Sequence, residues 1–139
     1  MIVNVITELV VVDVLDRGVP NQERVLLRVN EQVNLGLYGL LIGLPVGGGF
    51  AFPIRDNFFW FGDGLVNSGD FIFVYTGPGE ARANKLPNTE ENVYSIHWGR
   101  KETVFANETL IPILFRFDAL NMPGAPLSLP DADIASSPK

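Results

Sequence analysis

The chain has 139 residues, a length that fits one domain with a single buried core. It is 47% hydrophobic, 19% charged and 11% aromatic, a composition that excludes intrinsic disorder for most of its length. The net charge of −6 disfavours general attraction to nucleic-acid phosphates, and the absence of cysteine excludes disulfides, thiolate nucleophiles and cysteine-bound metals.

The first part of the chain favours strands over helices. Residues 2–15 are rich in Val and Ile, which predicts one long strand or two strands with a bend. Asn4, Glu8 and Asp13 interrupt this run, so we expect neither a signal peptide nor a membrane span. We therefore expect a soluble chain, whose compartment the sequence leaves open. Residues 23–30 alternate between apolar and charged positions, as a half-buried strand does.

The middle of the chain combines glycine with aromatic residues. Residues 33–44 are apolar but interrupted by glycines, which predicts a buried strand rather than a helix. Residues 50–75 hold nine of the 15 aromatic residues. Four of them are consecutive, at residues 58–61, and a half-buried strand cannot hide all four. We expect at least one or two of these rings to be exposed or covered by a loop. Residues 70–76 are apolar on both faces and predict a central strand.

The last part alternates strands with polar connections. Residues 77–92 form the longest polar loop. Residues 93–98 predict a half-buried strand with Trp98 on its apolar side. In residues 110–117 we expect the odd-numbered side chains to face the core, and Pro112 to mark an edge strand or a bulge.

The overall pattern indicates an all-β chain. About eight short strands, separated by turns and without helical periodicity, predict an antiparallel β-sandwich or barrel. We expect a single domain over residues 1–120. Residues 121–139 hold four of the ten prolines and no periodic pattern, which predicts an extended or disordered tail.

Several short motifs occur in the order seen in one known family. They are Glu23, Val25, Leu27, Val29 and Asn30, then Val33-Asn34-Leu35-Gly36 with Tyr38, Phe50-Ala51-Phe52-Pro53, residues 65–71, Trp98, and residues 110–118. Together they resemble the lamin-tail-like domain, found at the tails of nuclear intermediate filaments and in many bacterial proteins. Residues 99–102 depart from it, since the family's Gly-Asp is missing there. The resemblance implies an immunoglobulin-like sandwich with a binding or scaffolding role and no catalytic residues.

Few residues combine into a recognisable catalytic or metal site. His97 is the only histidine, and the sequence has no G-x-S-x-G motif whose serine it could activate as a base. We therefore interpret it as a structural residue on the more polar side of a strand. Asp56, Asp63 and Asp70 match no calcium-loop pattern and fit turn residues better than cation ligands. Asp56 and Asp63, together with Glu102, leave open a small carboxylate-dependent hydrolase. We expect no cofactor, no metal and no enzymatic activity.

The aromatic run is where a binding role competes with a core role. We predict a binding or interface site at Phe58, Phe59, Trp60, Phe61 and Trp98. Interfaces are enriched in such residues and depleted of charge at their centres. The predicted function is a structural or protein-interaction module that self-associates through this segment, with a homo-oligomer or protein partner and no nucleic-acid partner. The alternative is a carbohydrate- or peptide-binding module that stacks ligands on Trp60 and Trp98.

Overall fold

The computed structural model describes residues 4–124 and contains ten strands and one 3₁₀ turn, Leu35–Leu37. The strands are β1 (Leu9–Leu15), β2 (Arg24–Val29), β3 (Val33–Asn34), β4 (Tyr38–Gly47), β5 (Phe50–Trp60), β6 (Leu65–Val66), β7 (Phe71–Tyr75), β8 (Arg82–Lys85), β9 (Asn92–His97) and β10 (Ile111–Arg116). The predicted all-β class is therefore confirmed. Most of the predicted tail, residues 125–139, lies outside the described residues.

Two sheets pack against each other as a β-sandwich. The larger sheet has the order β1-β2-β7-β9-β8, the smaller has the order β10-β4-β5, and a short pairing joins β3 to β6. All pairings are antiparallel except that of β7 with β9, which is parallel. The parallel pair arises because the chain forms the edge strand β8 before it returns as β9 between β8 and β7. The predicted antiparallel sandwich is confirmed, with this one exception.

The structure has ten strands rather than the predicted eight or so, because some strands are too short or too polar to be recognised in the sequence. β3 and β6 have two residues each, and β8 lies within residues 77–92, which the sequence predicted as loop. All four residues of β8 are exposed, so its sequence carries no hydrophobic alternation. In contrast, residues 50–54 and residues 58–60 belong to one long strand, β5, and Phe61 lies just after its end. No helix within residues 4–124 is long and apolar enough to cross a membrane.

One core fills the space between the two sheets. The inward residues alternate along three strands: Val25, Leu27 and Val29 on β2, Leu40 and Ile42 on β4, and Ile72 and Val74 on β7. β7 pairs with β2 on one side and with β9 on the other, which confirms the predicted central strand.

β10 faces the core with the side opposite to the predicted one. Leu114 packs against the core, whereas Phe115 meets other aromatic rings on the outer side of the sheet. The register accounts for this, because Leu114 pairs with the buried Leu40 and Phe115 pairs with Gly39. Both sides of this segment are apolar, so the alternation alone does not determine which side faces the core. Pro112 does lie on an edge strand, as predicted, since β10 has only β4 beside it in the sheet.

A buried carboxylate ties the loop before β10 to the larger sheet. The side chain of Glu23 is 1% exposed and accepts four hydrogen bonds. The donors are the backbone N–H groups of Gly18 (2.8 Å), Val104 (2.6 Å) and Phe105 (2.9 Å), and the hydroxyl of Thr76 (2.8 Å). Phe105 is itself fully buried. The loop is therefore held by a side chain and by core packing rather than by ladder hydrogen bonds.

Candidate interaction surface

The outer side of the three-stranded sheet carries a continuous set of apolar side chains. Leu40 and Ile42 of β4 are buried, so Leu41 between them points outward. The ladder partners of Leu41 are Phe58 on one side and Ile113 on the other. We define the aromatic face as Leu41, Phe58, Trp60, Ile113, Phe115 and Phe117. None of these residues is charged or carries a carboxylate, amide or hydroxyl group.

Three phenylalanine rings form the centre of the aromatic face. The ring centroid of Phe58 lies 5.0 Å from that of Phe115 and 6.1 Å from that of Phe117. Phe115 and Phe117 meet edge to face, with centroids 5.3 Å apart. Gly39 lies beneath them, and a Cβ there would stand 2.6 Å from Phe58 Cε1 and 3.0 Å from Phe115 Cζ. The glycine thus lets side chains from both neighbouring strands close over the middle strand.

Trp60 is the most exposed ring of the aromatic face, and its indole is fixed. It is 50% exposed, and its Nε1–H donates to the backbone carbonyl of Gly36 at 2.8 Å. Phe58 beside it is 45% exposed. A ring held in one orientation loses little conformational entropy when a partner covers it. The exposed part of the face is therefore preorganised for contact.

The five predicted site residues lie on both sides of the sheet rather than on one surface. Phe58 and Trp60 are exposed, which confirms that one or two rings of the run reach the surface. Phe59 and Trp98 point inward and stack with centroids 5.5 Å apart, while Phe61 is only 7% exposed. The two-residue period of the strand separates them. We therefore assign only Phe58 and Trp60 to the surface.

Arg100 lies against the ring of Trp98. Its guanidinium carbon lies 5.3 Å from the centroid of the Trp98 ring. One guanidinium nitrogen donates to the side-chain oxygen of Asn57 at 2.8 Å, which fixes the arginine there. Phe59 and Arg100 both lie against the Trp98 ring, which also packs against the core, so Trp98 is a poorer stacking platform than Trp60.

The outer side of the five-stranded sheet is also aromatic, but charged and polar groups cap it. Phe73 and Tyr75 face outward, and the guanidinium of Arg24 lies 5.1 Å and 5.7 Å from their ring centroids. Arg24 in turn pairs with Asp16 at 2.7 Å. His97 stacks on Tyr75 with centroids 5.0 Å apart. A partner covering this side would have to desolvate these groups, so the uncharged aromatic face is the better contact surface.

The three spaced aspartates do not gather around a common point. Asp70 is buried and accepts hydrogen bonds from the backbone N–H groups of Asn67 (2.8 Å) and Asn92 (2.9 Å), which is a turn role. Asp63 accepts a hydrogen bond from the side-chain amide of Asn34 at 2.8 Å. Across residues 4–124, no three acidic or histidine side chains come close enough to hold a metal ion.

The other candidates for chemistry stand apart from these aspartates. Glu102 borders a cleft of about 490 Å³ together with Arg100 and Lys101, and no second carboxylate lines that cleft in the described part of the chain. His97 lies on the outer side of β9 against Tyr75, as its structural interpretation expects. No pair of carboxylates faces across this cleft, so the hydrolase alternative gains no support from it.

A hydrogen-bonded triad joins the N-terminal segment to the start of β4 and the end of β10. The hydroxyl of Tyr38 donates to Glu8 Oε2 at 2.5 Å, and Arg116 donates to the same oxygen at 2.7 Å. The Tyr38 hydrogen bond is the main cause that lowers the pKa of Glu8 to about 2, although burial opposes it. Burial, followed by the neighbouring Glu8 carboxylate, raises the pKa of Tyr38 to about 12.

We expect the stabilisation that this triad contributes to the fold to be lost in acid. The pKa of Glu8 is about 2 in the folded protein and about 4.5 when unperturbed, so the unfolded chain binds the proton first as pH falls. The contribution of up to about 3 kcal/mol is complete above about pH 5 and is lost between about pH 4.5 and pH 2. Urea unfolding of the wild type and of Glu8→Gln across this range measures it.

The difference in unfolding free energy between the wild type and Glu8→Gln is expected to become smaller as the pH falls. Tyr38→Phe is the matched control, because it removes the main hydrogen bond to Glu8 and keeps the ring. Its acid sensitivity should be smaller than that of the wild type. A difference between wild type and Glu8→Gln that does not change with pH would contradict the expectation.

No protein-family model, curated protein or solved structure matches this chain.

Proposed function

We propose that this protein is a non-enzymatic structural or interaction module that associates with copies of itself through the aromatic face. The observation that carries the proposal is the half exposure of Phe58 and Trp60 within an uncharged set of side chains on a sheet. The partner that best fits such a face is another uncharged apolar face. A second copy of the chain supplies one of the same size and shape.

The size of the aromatic face supports association rather than ordinary surface exposure. Phe58 and Trp60 are each about half exposed, and a full aromatic side chain buries about 150–250 Å², so the two rings alone offer about 200 Å². The half-buried members enlarge the patch to a few hundred Å², the size of the largest apolar patch on a typical monomer, which is often functional. A standard stable interface buries about 800 Å² per partner. Pairing of the faces alone is therefore weak, in keeping with a module that acts in larger assemblies.

We also propose that the sandwich is of the immunoglobulin type and lamin-tail-like. The support is that Val25, Leu27 and Val29 all face the core from β2, and that Trp98 packs against the core just after β9. These are the structural roles that the resemblance implies for them. A scaffolding role of that family agrees with association through an exposed sheet face.

Trp60→Arg is expected to weaken self-association without unfolding the protein. Buried tryptophans at interface centres commonly contribute more than about 2 kcal/mol, so the dissociation constant should rise by about tenfold or more. Sedimentation velocity over a range of protein concentrations measures the change. A new charge within an apolar contact adds a desolvation cost to the lost contact area.

Leu65→Arg is the control for this substitution. Leu65 is 60% exposed and lies on β6, outside the three-stranded sheet, so the same new charge there should leave association unchanged. Thermal unfolding of both variants checks that each remains folded. A wild-type chain that stays monomeric at high concentration would overturn the proposal, as would equal effects of the two variants.

A carbohydrate-binding role is the second candidate, and the fixed indole of Trp60 favours it. An exposed ring anchored through Nε1 can also stack on a sugar. Trp98→Phe leaves Trp60 as the only tryptophan, because the chain has two. Its fluorescence can then be titrated with maltohexaose, cellohexaose and chitohexaose. A saturable spectral change on sugar addition, without a change in oligomeric state, favours sugar binding. A blue shift with rising protein concentration favours self-association.

A further inference from the structure

The hairpin formed by the end of β4 and the start of β5 carries no polar side chain. Residues 44–53 are Leu, Pro, Val, three glycines, Phe, Ala, Phe and Pro. Nine of these ten residues are exposed, and Ala51 is half-buried. The largest exposed side chains are Leu44 (42% exposed), Val46 (47%), Phe50 (60%) and Phe52 (67%). We call residues 44–53 the apolar hairpin.

The apolar hairpin extends past the rest of the three-stranded sheet. β10 pairs with β4 only as far as Gly43, which lies opposite Ile111. Beyond Gly43, in the described part of the chain, β4 and β5 pair only with each other, and the turn between them includes three glycines with positive φ, residues 47–49. The hydrophobic core and the side chains packed against it include none of residues 44–53. The hairpin is therefore an apolar projection rather than a wall of the core.

Both sides of the apolar hairpin are apolar. Leu44 pairs with Phe52, and Pro45 pairs with Ala51. Successive pairs point to opposite sides of a sheet, so each side carries apolar groups, and neither carries a side chain that needs a polar partner. A groove on another protein would contact one side and leave the other in water. A fluid apolar medium contacts both sides and the tip at once, as happens at a lipid surface.

Proline at both edges of the apolar hairpin hinders pairing with another strand. The N–H of Phe117 donates to the carbonyl of Leu37 at 2.8 Å, and the register between β10 and β4 continues from there, so Gly43 directs its backbone polar groups toward β10. Pro45 occupies the same edge beyond the first residue of β10, and Pro53, opposite Gly43, occupies the free edge of β5. Neither proline has an N–H, so an added strand finds no donor at these positions. The same absence leaves fewer N–H groups to desolvate when lipid covers the hairpin.

The charge of the chain matches a zwitterionic lipid surface better than an anionic one. The first charged residues after the apolar hairpin are Arg55 and Asp56, which have opposite signs, and the nearest one before it is Glu31. The whole chain carries a net charge of −6. Polybasic clusters attract proteins to anionic lipids, and residues 31–56 contain a single basic residue. Insertion of uncharged side chains is the attraction that remains.

We propose that the apolar hairpin inserts Phe50 and Phe52 into the surface of a zwitterionic lipid bilayer, such as one of phosphatidylcholine. From Leu44 to the glycine turn, about four residue steps give a reach of about 13 Å, against a depth of about 5–10 Å for segments that lie at the lipid–water interface. The turn and the two rings enter, while Arg55 and Asp56 stay in water. This contact uses residues outside the aromatic face and does not depend on self-association through it.

Flotation of the full chain with phosphatidylcholine vesicles tests the contact. The wild type should float with the vesicles, and Phe52→Ser should lower its partition coefficient by about tenfold. Phe50→Ser combined with Phe52→Ser should lower it by about a hundredfold. Leu65→Ser is the matched control, because Leu65 is 60% exposed and lies on β6, paired with Asn34. It should bind as the wild type does, and thermal unfolding checks that each variant is folded.

Lipid composition and salt distinguish apolar insertion from electrostatic attraction. Adding phosphatidylserine to the vesicles should weaken binding, because the chain is acidic. Raising NaCl from about 0.1 M to about 1 M should not weaken binding to phosphatidylcholine. The proposal is overturned if the wild type does not float with phosphatidylcholine, if it binds only vesicles that contain phosphatidylserine, or if Leu65→Ser loses as much binding as Phe52→Ser.

Trp60→Arg separates this contact from the aromatic face and should float as the wild type does. Loss of flotation in Trp60→Arg but not in Phe52→Ser assigns the lipid contact to the aromatic face and overturns the proposal. No flotation of the wild type, together with smaller assemblies of Phe52→Ser in sedimentation velocity without lipid, assigns the hairpin to a contact between copies and also overturns it. A wild type that floats but is monomeric without lipid overturns self-association alone, so the two failures are distinguishable.

Discussion

Replacing Glu23 with alanine is expected to lower the free energy of unfolding by about 3–5 kcal/mol and the Tm by roughly 10–20 °C. The substitution removes the acceptor for three backbone N–H groups and for the hydroxyl of Thr76 in a site that is 1% exposed. Each buried donor left without a partner costs free energy, and the loop before β10 loses its attachment to the sheet. Urea unfolding followed by far-UV circular dichroism measures the loss.

Two milder substitutions establish that the hydrogen bonds are responsible. Glu23→Gln keeps the length of the side chain and one acceptor oxygen but presents an NH₂ group to backbone donors, so an intermediate loss is expected. Thr76→Val removes only one of the four bonds and should cost the least of the three. A Glu23→Ala variant within about 1 kcal/mol of the wild type would show that the network contributes little net stability.

Gly39→Ala is expected to destabilise the fold by about 1–3 kcal/mol and to weaken self-association at the same time. A Cβ at this position would stand 2.7 Å from the backbone carbonyl oxygen of Phe59, which cannot move without disturbing the β4–β5 ladder. It would also push against Phe58 and Phe115, the rings at the centre of the aromatic face. Thermal unfolding measures the first effect, and sedimentation velocity measures the second.

Gly64→Ala is the matched control for this prediction. A Cβ on Gly64 would meet no described atom within 4 Å, and its φ is not positive, so the extra methyl group should change stability by no more than about 0.5 kcal/mol. The double variant Gly39→Ala with Phe58→Ala relieves the contact with the ring but not the contact with the carbonyl of Phe59. Equal stabilities of Gly39→Ala and Gly64→Ala would show that the sheet adjusts to the added methyl group.

Much of the fold follows from local pattern. The alternation of Val25, Leu27 and Val29 specified β2 and its inward face, because a strand that is apolar on one side has only one direction to face. Glu23 shares this two-residue phase with them, which is the signal that could have identified it as buried. Pro112 marked an edge strand because it lacks a backbone N–H to donate to a ladder. The short or polar strands β3, β6 and β8 carry no such pattern.

The aromatic face could be predicted only in part. Four consecutive rings at residues 58–61 require some exposure in any strand, and Phe58 and Trp60 are the exposed ones. The other half of the face was placed in the core by prediction, because Phe115 and its odd-numbered neighbours on β10 alternate with equally apolar residues. Only pairing with β4, where Leu114 lies opposite the buried Leu40, decides which side faces inward.

The sequence by itself determined an all-β chain, a half-buried β2, a central β7 and an aromatic run too dense to be hidden. These conclusions rest on side-chain period and composition, which are local properties. The tertiary structure alone decided which rings share a surface, that Gly39 lets them close over β4, and which side of β10 faces the core. Register and packing bring together residues that are far apart in the chain. In a strand that is apolar on both sides, the local sequence does not specify which side faces the core.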